Sequence, residues 1–399
     1  MLYNILDGFR YIEYFILLLL LLFYVSSNFL IWFISICCVL ILYVSKLDSE
    51  TSILFAISII GLTILIQTNN LLEFYISLEI VSLIFYVLAA RDRKSVKSTE
   101  SGLKYFILGS LSSGLILLGI TLVYAQTGII DLILIFDQIE FELSWVLIKI
   151  GLLFKLGSAP FHIWIPDIYE GSPIIVTIFL AIVPKIAYIS ILMRISFGGV
   201  DFILLTSGIL SIVVGAIGAL NQSKIKRLLG YSAIGHMGFI LLGLSTGTFL
   251  GFKSLVIYLI IYVLMILNSF TLIKELEISL IIELRGLSRR NRVIGLTQGI
   301  ILMSIAGIPP LAGFYSKYII LCSILDLEML FTSIFVILWS VVSVYYYLSL
   351  IRWMYFEDFS EVSIVLTPIS FNSSIILGLT TYVVLSIMIY PEILHIAYN

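Results

Sequence analysis

The chain has 399 residues, 61% of them hydrophobic and 12% charged, against about 25% charged in a soluble domain. A water-soluble interior cannot hide that much apolar surface, so lipid is the solvent for most of the chain. Three cysteines, a net charge of −2 and no glycine-rich phosphate loop exclude a disulfide scaffold and a cysteine-held metal or iron–sulfur site. They also exclude a nucleic-acid binder and a nucleotide site on this chain.

A membrane-spanning helix needs about 20 apolar residues. That window predicts spans at 11–25, 28–45, 52–68, 71–90, 102–126, 144–166, 174–195, 201–220, 228–245, 253–273, 293–325, 330–350 and 374–390. The expectation is an all-α membrane protein of about thirteen transmembrane helices. No cleavable leader is predicted. Arg10 precedes the first run, but Glu13 stands at its start and no small-residue cleavage site follows. The run at 293–325 is too long for one straight crossing and contains Gly307-Ile308-Pro309-Pro310. Two prolines interrupt the hydrogen-bond ladder, so it reads as one crossing made of two half-helices.

Counted that way, the loops sort by charge. Arg91, Arg93, Lys94 and Lys97 fall on one side with Lys224, Lys226 and Arg227, and with Arg285, Arg289, Arg290 and Arg292. Asp131, Asp137, Glu140, Glu142, Asp326 and Glu328 fall on the other. The positive-inside rule then puts the N-terminus on the positive side and the C-terminus opposite.

Several spans carry ions where lipid opposes them, at a cost of at least about 2.5–3.5 kcal/mol each. Glu79, Lys155, Lys185 and His236 lie mid-span, and Lys317 follows the Pro-Pro break by seven residues. Five ionisable groups at similar depth in five helices form a row of the kind proton relays use. Each also has a purely structural reading. Glu79 and Lys155 can be a packing ion pair, Lys185 can snorkel to the interface, and His236 can be a hydrogen-bonded core histidine. Lys104, Lys149 and Glu73 read as boundary residues, and the tyrosines and tryptophans as interface-belt or packing residues.

Two spans share a mechanical signature. KLGSAPFHIWIPDIYEGSP has Pro160 and Pro166 after Lys155, and AGIPPLAGFYSKY has Pro309 and Pro310 before Lys317. Broken helices at membrane depth survive only beside protein or a water-filled cavity, and paired breaks point to an internal repeat around a transport site. Lysine before one break and after the other is the order that an inverted repeat produces.

These two stretches, with STESGLKYFILGSLSSGLILLGI and KIKRLLGYSAIGHMGF, resemble the antiporter-like membrane subunits of respiratory NADH:ubiquinone oxidoreductase, complex I. The PDIYEG segment is similar to the subunit 2 group rather than to subunits 4 and 5. The resemblance covers roughly residue 52 to the C-terminus. It implies an inverted repeat of two five-helix units, at 52–197 and 198–351, preceded by two helices at 1–51 and followed by a linker and a last helix at 352–399. Longer members have three leading helices; two are expected here.

The resemblance carries proton translocation over to Glu79, Lys104, Lys155, Lys185, His236 and Lys317. It implies a core membrane-arm subunit that binds no cofactor, while NADH, FMN, iron–sulfur clusters and ubiquinone are used elsewhere in the complex. It also implies neighbours of the subunit 4 and subunit 4L types, phospholipids such as cardiolipin, and no nucleic acid. The implied location is the mitochondrial inner membrane, N-terminus in the matrix and C-terminus in the intermembrane space. The richness in Ile, Phe and Tyr suits an AT-rich organelle genome. Two other functions stay open at this point: a subunit of a multi-subunit cation/proton antiporter, and a structural membrane scaffold.

Overall fold

The computed structural model describes residues 29–44, 48–132, 134, 142–196, 199–357 and 369–389. The span expected at 11–25, and Asp137 and Glu140, lie outside them. In lipid every main-chain N–H and C=O must find its partner inside its own segment, and the described chain meets this with helix after helix. They are α1 (Phe29–Val44), α2 (Ser49–Gln67), α3 (Leu71–Ala89), α4 (Val96–Thr127), α5 (Glu142–Leu156), α6 (Trp164–Gly171) and α7 (Ile174–Ile195). There follow α8 (Phe202–Leu220), α9 (Ile225–Ser245), α10 (Phe249–Leu276), α11 (Arg292–Ala306), α12 (Ala312–Leu325), α13 (Leu330–Tyr355) and α14 (Phe371–Ile389). Among the described residues there is no strand, only the isolated bridges Asn70–Asp131 and Lys224–Leu280.

Serine is tolerated in these apolar helices because its hydroxyl is satisfied within its own turn. Ser77 Oγ donates to the Phe74 carbonyl at 2.9 Å, and Ser211 Oγ to the Ser207 carbonyl at 2.6 Å. Helix starts are capped where the sequence offers Asn or Asp. The Asn70 side chain accepts from Leu72 N, Asp201 from Ile203 N and Leu204 N, and Asn291 from Val293 N and Ile294 N.

Eight of the helices, α2, α3, α4, α7, α8, α9, α10 and α13, are long and apolar enough to cross a bilayer. Shorter apolar helices include α1, α11 and α12. Leu103, Ile107 and Leu111 make an exposed apolar stripe on α4, as Ile334, Leu338, Val341 and Tyr345 do on α13. Stripes at that spacing on a chain this apolar are surfaces for lipid or for another membrane subunit. In contrast, α7, α9 and α10 are buried along nearly their whole length.

The chain divides into two compact units. The first holds the described residues up to Leu156 together with Gly171–Arg194; the second holds Gly157–Glu170 and the described residues from Ile195 onward. In the first unit α2 packs on α3, α3 on α4 and α4 on α5, and Phe179 of α7 meets the rings of Phe55 and Phe85 at 4.6 and 5.7 Å. Arg194, near the end of α7, donates Nη1 to the Thr68 carbonyl at 2.8 Å and Nη2 to the Ile66 carbonyl. It thereby covers the unpaired carbonyls that end α2. In the second unit α8 runs against α9, α10 packs on α9, α11, α12 and α14, and α13 lies on α8 and α11.

Both expected breaks are present. α5 stops at Leu156 and α6 starts at Trp164; α11 stops at Ala306 and α12 starts at Ala312. Each first half ends on a glycine in the left-handed region, Gly157 at φ 70° and Gly307 at φ 85°, a backbone conformation that side chains oppose. Pro160, Pro309 and Pro310 stand in the breaks, where no ladder bond is lost. Pro166 does not. It was expected to break the helix, but it stands in the first turn of α6, where its missing N–H has no intrahelical partner to lose.

Candidate functional site: buried bases beside two helix breaks

Among the described residues, four basic side chains are buried within the apolar helices. Lys155 is 4% exposed, Lys185 4%, His236 5% and Lys317 8%. In the first unit, Lys155 lies one residue before the end of α5. Its Nζ donates to the Tyr86 hydroxyl at 3.5 Å and stands 5.9 Å from the centre of that ring. Glu79 is on α3, the helix that carries Tyr86, and its Oε1 is buried without a hydrogen-bond partner. The two side chains expected to pair therefore make no direct ion pair; Tyr86 occupies the position of the lysine's partner.

Lys185 is in the middle of α7, directly after Pro184. Proline has no N–H to offer the Leu180 carbonyl four residues back, so the helix ladder is interrupted beside the lysine. Lys104 lies apart from the buried bases. It pairs with Glu100 at 2.7 Å, one turn earlier on α4, and its side chain is 43% exposed. Lys149 on α5 is neither fully exposed nor fully buried.

In the second unit, His236 is held between two phenols. Its Nδ1 is 2.7 Å from the Tyr258 hydroxyl and its Nε2 is 3.4 Å from the Tyr347 hydroxyl, which also hydrogen-bonds Ser232. Lys317 of α12 reaches back across the break. Its Nζ donates to the last carbonyls of α11, Ala306 at 2.8 Å and Ile305 at 3.3 Å, and lies 5.5 Å from the Phe239 ring centre. A helix C-terminus carries partial negative charge, so it is a fitting seat for an ammonium. The half-helices are stitched by Ser304, whose Oγ accepts from Gly313 N at 3.1 Å and donates to Met265 Sδ at 3.2 Å. His236 and Lys317 line one small cavity of about 20 Å³ with Ser232, Ser340, Ser343 and Tyr347, roomy enough for a single water.

Sequence reasoning missed four features here. The phenols Tyr86, Tyr258 and Tyr347 were read as belt or packing residues. The available signal was position: Tyr86 follows Glu79 by seven residues, which returns to the same helix face. Pro184, inside the helix beside Lys185, marks an interrupted ladder that its sequence position alone signals. His162 lies in the first break with its Nδ1 buried and unpartnered. A further charge cluster joins the acidic residues of α6 to the start of α9. Glu170 pairs with Lys224, and Arg227 reaches both Glu170 and Asp167 at 3.4 Å.

Residues 68–343 match the family model described as NADH:quinone oxidoreductase/Mrp antiporter, TM. The chain is 42% identical over 331 residues to NADH-quinone oxidoreductase subunit N of Pelagibacter ubique, covering 78% of this chain and 70% of that one. It is 40% identical over 365 residues to NADH-ubiquinone oxidoreductase chain 2 of Metridium senile, covering 86% and 94%. It superposes on a chain in the structure of respiratory complex I from Thermus thermophilus with bound aureothin. The TM-score is 0.82 at 30% identity, and the match covers 94% of this chain and 89% of that one.

Proposed function

Because this chain belongs to the NADH:quinone oxidoreductase/Mrp antiporter transmembrane family, we propose that it is a core membrane-arm subunit of a respiratory NADH:quinone oxidoreductase. In this reading it moves protons across the membrane while other subunits oxidise NADH and reduce quinone. FMN, iron–sulfur clusters and ubiquinone belong to those subunits, and this chain binds none of them. The observation that carries the reading is the burial of Lys155, Lys185, His236 and Lys317 within apolar helices, two of them beside helix breaks. Packing alone does not call for basic side chains at these positions, because hydrophobic replacements of similar volume pack as well or better.

Lysine suits the task, since burial moves its proton affinity readily while arginine stays charged. Each unit supplies two bases: Lys155 and Lys185 in the first, His236 and Lys317 in the second. A proton enters from the positive side and passes along Lys185, His236 and Lys317 to the opposite side. Glu79 is the switch that steadies the charge on Lys155 when near and releases it when apart. Entry is near the Lys185 helix, and Lys104 belongs to the relay at the positive-side end of its own helix. The fold behind this is an inverted repeat at 52–197 and 198–351 within about thirteen crossings, each broken pair counted once. The mitochondrial inner membrane is the proposed location, with the N-terminus in the matrix. Subunit 4- and 4L-type neighbours and cardiolipin are the proposed partners.

Native electrophoresis of gently solubilised membranes, with an NADH-oxidation stain and mass spectrometry of the stained band, tests the assignment. The chain is expected in that band. A separate band without NADH activity overturns the reading and favours a cation/proton antiporter.

A further inference from the structure

In the first unit, the start of α2 and the end of α3 stand together. The short connection 68–70 makes these helices packed neighbours, and an ion pair between Asp48 and Arg91 ties their far ends. Beside that pair is a cavity of about 540 Å³, within the usual range of about 300–1,000 Å³ for a small-molecule site. Its walls carry both signs of charge. Asp48 and Glu50 come from the start of α2, Arg91 and Arg93 from just beyond α3, and Leu54 and Val87 supply apolar surface. Asp48 and Arg91 hold each other. Glu50 and Arg93 are exposed, and neither side chain has an ion-pair or hydrogen-bond partner among the described residues. The cavity therefore offers a carboxylate to a cation and a guanidinium fork to an anion, and that fork matches phosphate.

Two apolar stripes run away from the cavity along the same helices. Ile53, Ile57 and Ile60 are exposed on α2, and Ile76, Ile80 and Leu83 on α3. The spacing keeps each set on one face of its helix. Gly61 lets α2 close on the Ile80 edge of α3. A Cβ there would fall 3.4 Å from the Ile80 side chain and 2.8 Å from that of Val81. Charge of both signs continuous with exposed apolar stripes matches an amphiphile that carries a cation and an anion in its head.

We propose that this cavity binds the headgroup of one phosphatidylethanolamine molecule. The phosphate lies on Arg93 and Arg91, the ammonium on Glu50 and Asp48, and the acyl chains follow the stripes of α2 and α3. The lining selects ethanolamine over choline. A primary ammonium has N–H donors for carboxylates, whereas a quaternary one is recognised by aromatic faces, and no aromatic ring lines the cavity among the described residues. Purely anionic headgroups suit the arginines but bring no cation to Glu50 and Asp48, whose charges repel them. The site is separate from the buried bases and stands whether or not they carry protons.

The test uses the intact membrane complex that contains the chain, reconstituted in phosphatidylcholine vesicles. A trace of phosphatidylethanolamine with a photoreactive group on one acyl chain near the glycerol is the probe, and a matched choline lipid is its control. Labelled peptides are read by mass spectrometry for the parent, Glu50→Gln, Arg93→Gln and the double variant. Label on segments 48–54 and 87–93, as a share of total label on the chain, is expected about tenfold higher with the ethanolamine probe. Each single variant is expected to lower that preference about tenfold, the equivalent of one hydrogen bond to a charged group. Both keep side-chain size and remove no bond of the folded chain. Equal labelling by the two probes, or a preference unchanged in the double variant, overturns the site. Stronger labelling by a matched phosphatidylglycerol probe overturns the zwitterionic assignment in favour of an anionic lipid. No label on either segment shows that protein covers this edge, and overturns the proposal as well.

Discussion

The Lys317 ammonium donates to the Ala306 carbonyl at 2.8 Å, so the lysine of one half-helix is seated on the open end of the other. Its partners are main-chain carbonyls and an aromatic face, not a carboxylate. That matters for the proposed relay, in which the group alternates between charged and neutral. When an ion pair loses one charge, the buried partner is left uncompensated. When Lys317 loses its proton, the carbonyls keep a neutral amine donor.

Lys317→Arg is expected to assemble and to fail in proton translocation. The guanidinium keeps the charge but does not release a proton at physiological pH. Dye-monitored proton uptake in vesicles, normalised to NADH oxidation, checks this; an arginine variant that pumps at the parent rate removes Lys317 from the relay.

Gly307→Ala is expected to destabilise the break by about 1–2 kcal/mol from backbone conformation alone. The new Cβ also falls 2.9 Å from Lys317 Nζ, so the lysine side chain has to shift against its seat on the helix end. Thermal unfolding of the detergent-solubilised complex should drop, and translocation should fall with it. Unchanged values in both show that the lysine does not depend on that seat.

His236 separates a structural from a relay role. His236→Leu strands the buried Tyr258 hydroxyl, at about 1–3 kcal/mol, whereas His236→Gln can still hydrogen-bond it. Thermal stability should therefore rank glutamine above leucine. Translocation should be lost equally in both if the ring carries protons, since neither replacement titrates. Normal translocation in the glutamine variant makes His236 a packing residue.

Arg194→Met removes the group that covers the end of α2 and should lower thermal stability by about 1 kcal/mol. The ratio of protons moved to NADH oxidised should not change, because Arg194 acts on backbone carbonyls at a helix terminus. A changed ratio at full assembly assigns this arginine to the proton path.

Much of this was readable in the chain. Apolar runs of bilayer length, the Pro-Pro of the second break and lysines in the middle of spans are local features, and lipid makes them decisive because it tolerates neither an unpaired backbone nor an unexplained charge. The family motifs around Lys155 and Lys317 are likewise contiguous stretches. What depended on distant segments was not readable. Pro166 reads as a breaker by residue type, yet its place in a first turn makes it a helix starter. Glu79 and Lys155 read as partners by charge, yet the tertiary structure gives Lys155 the hydroxyl of Tyr86, positioned by Gly109 and Tyr105 on a third helix. A tyrosine in an apolar run looks like any other belt or core aromatic. Whether its hydroxyl meets lipid, a lysine or nothing is set by which helix face is turned inward and what the next helix offers there, and only the packed fold decides that.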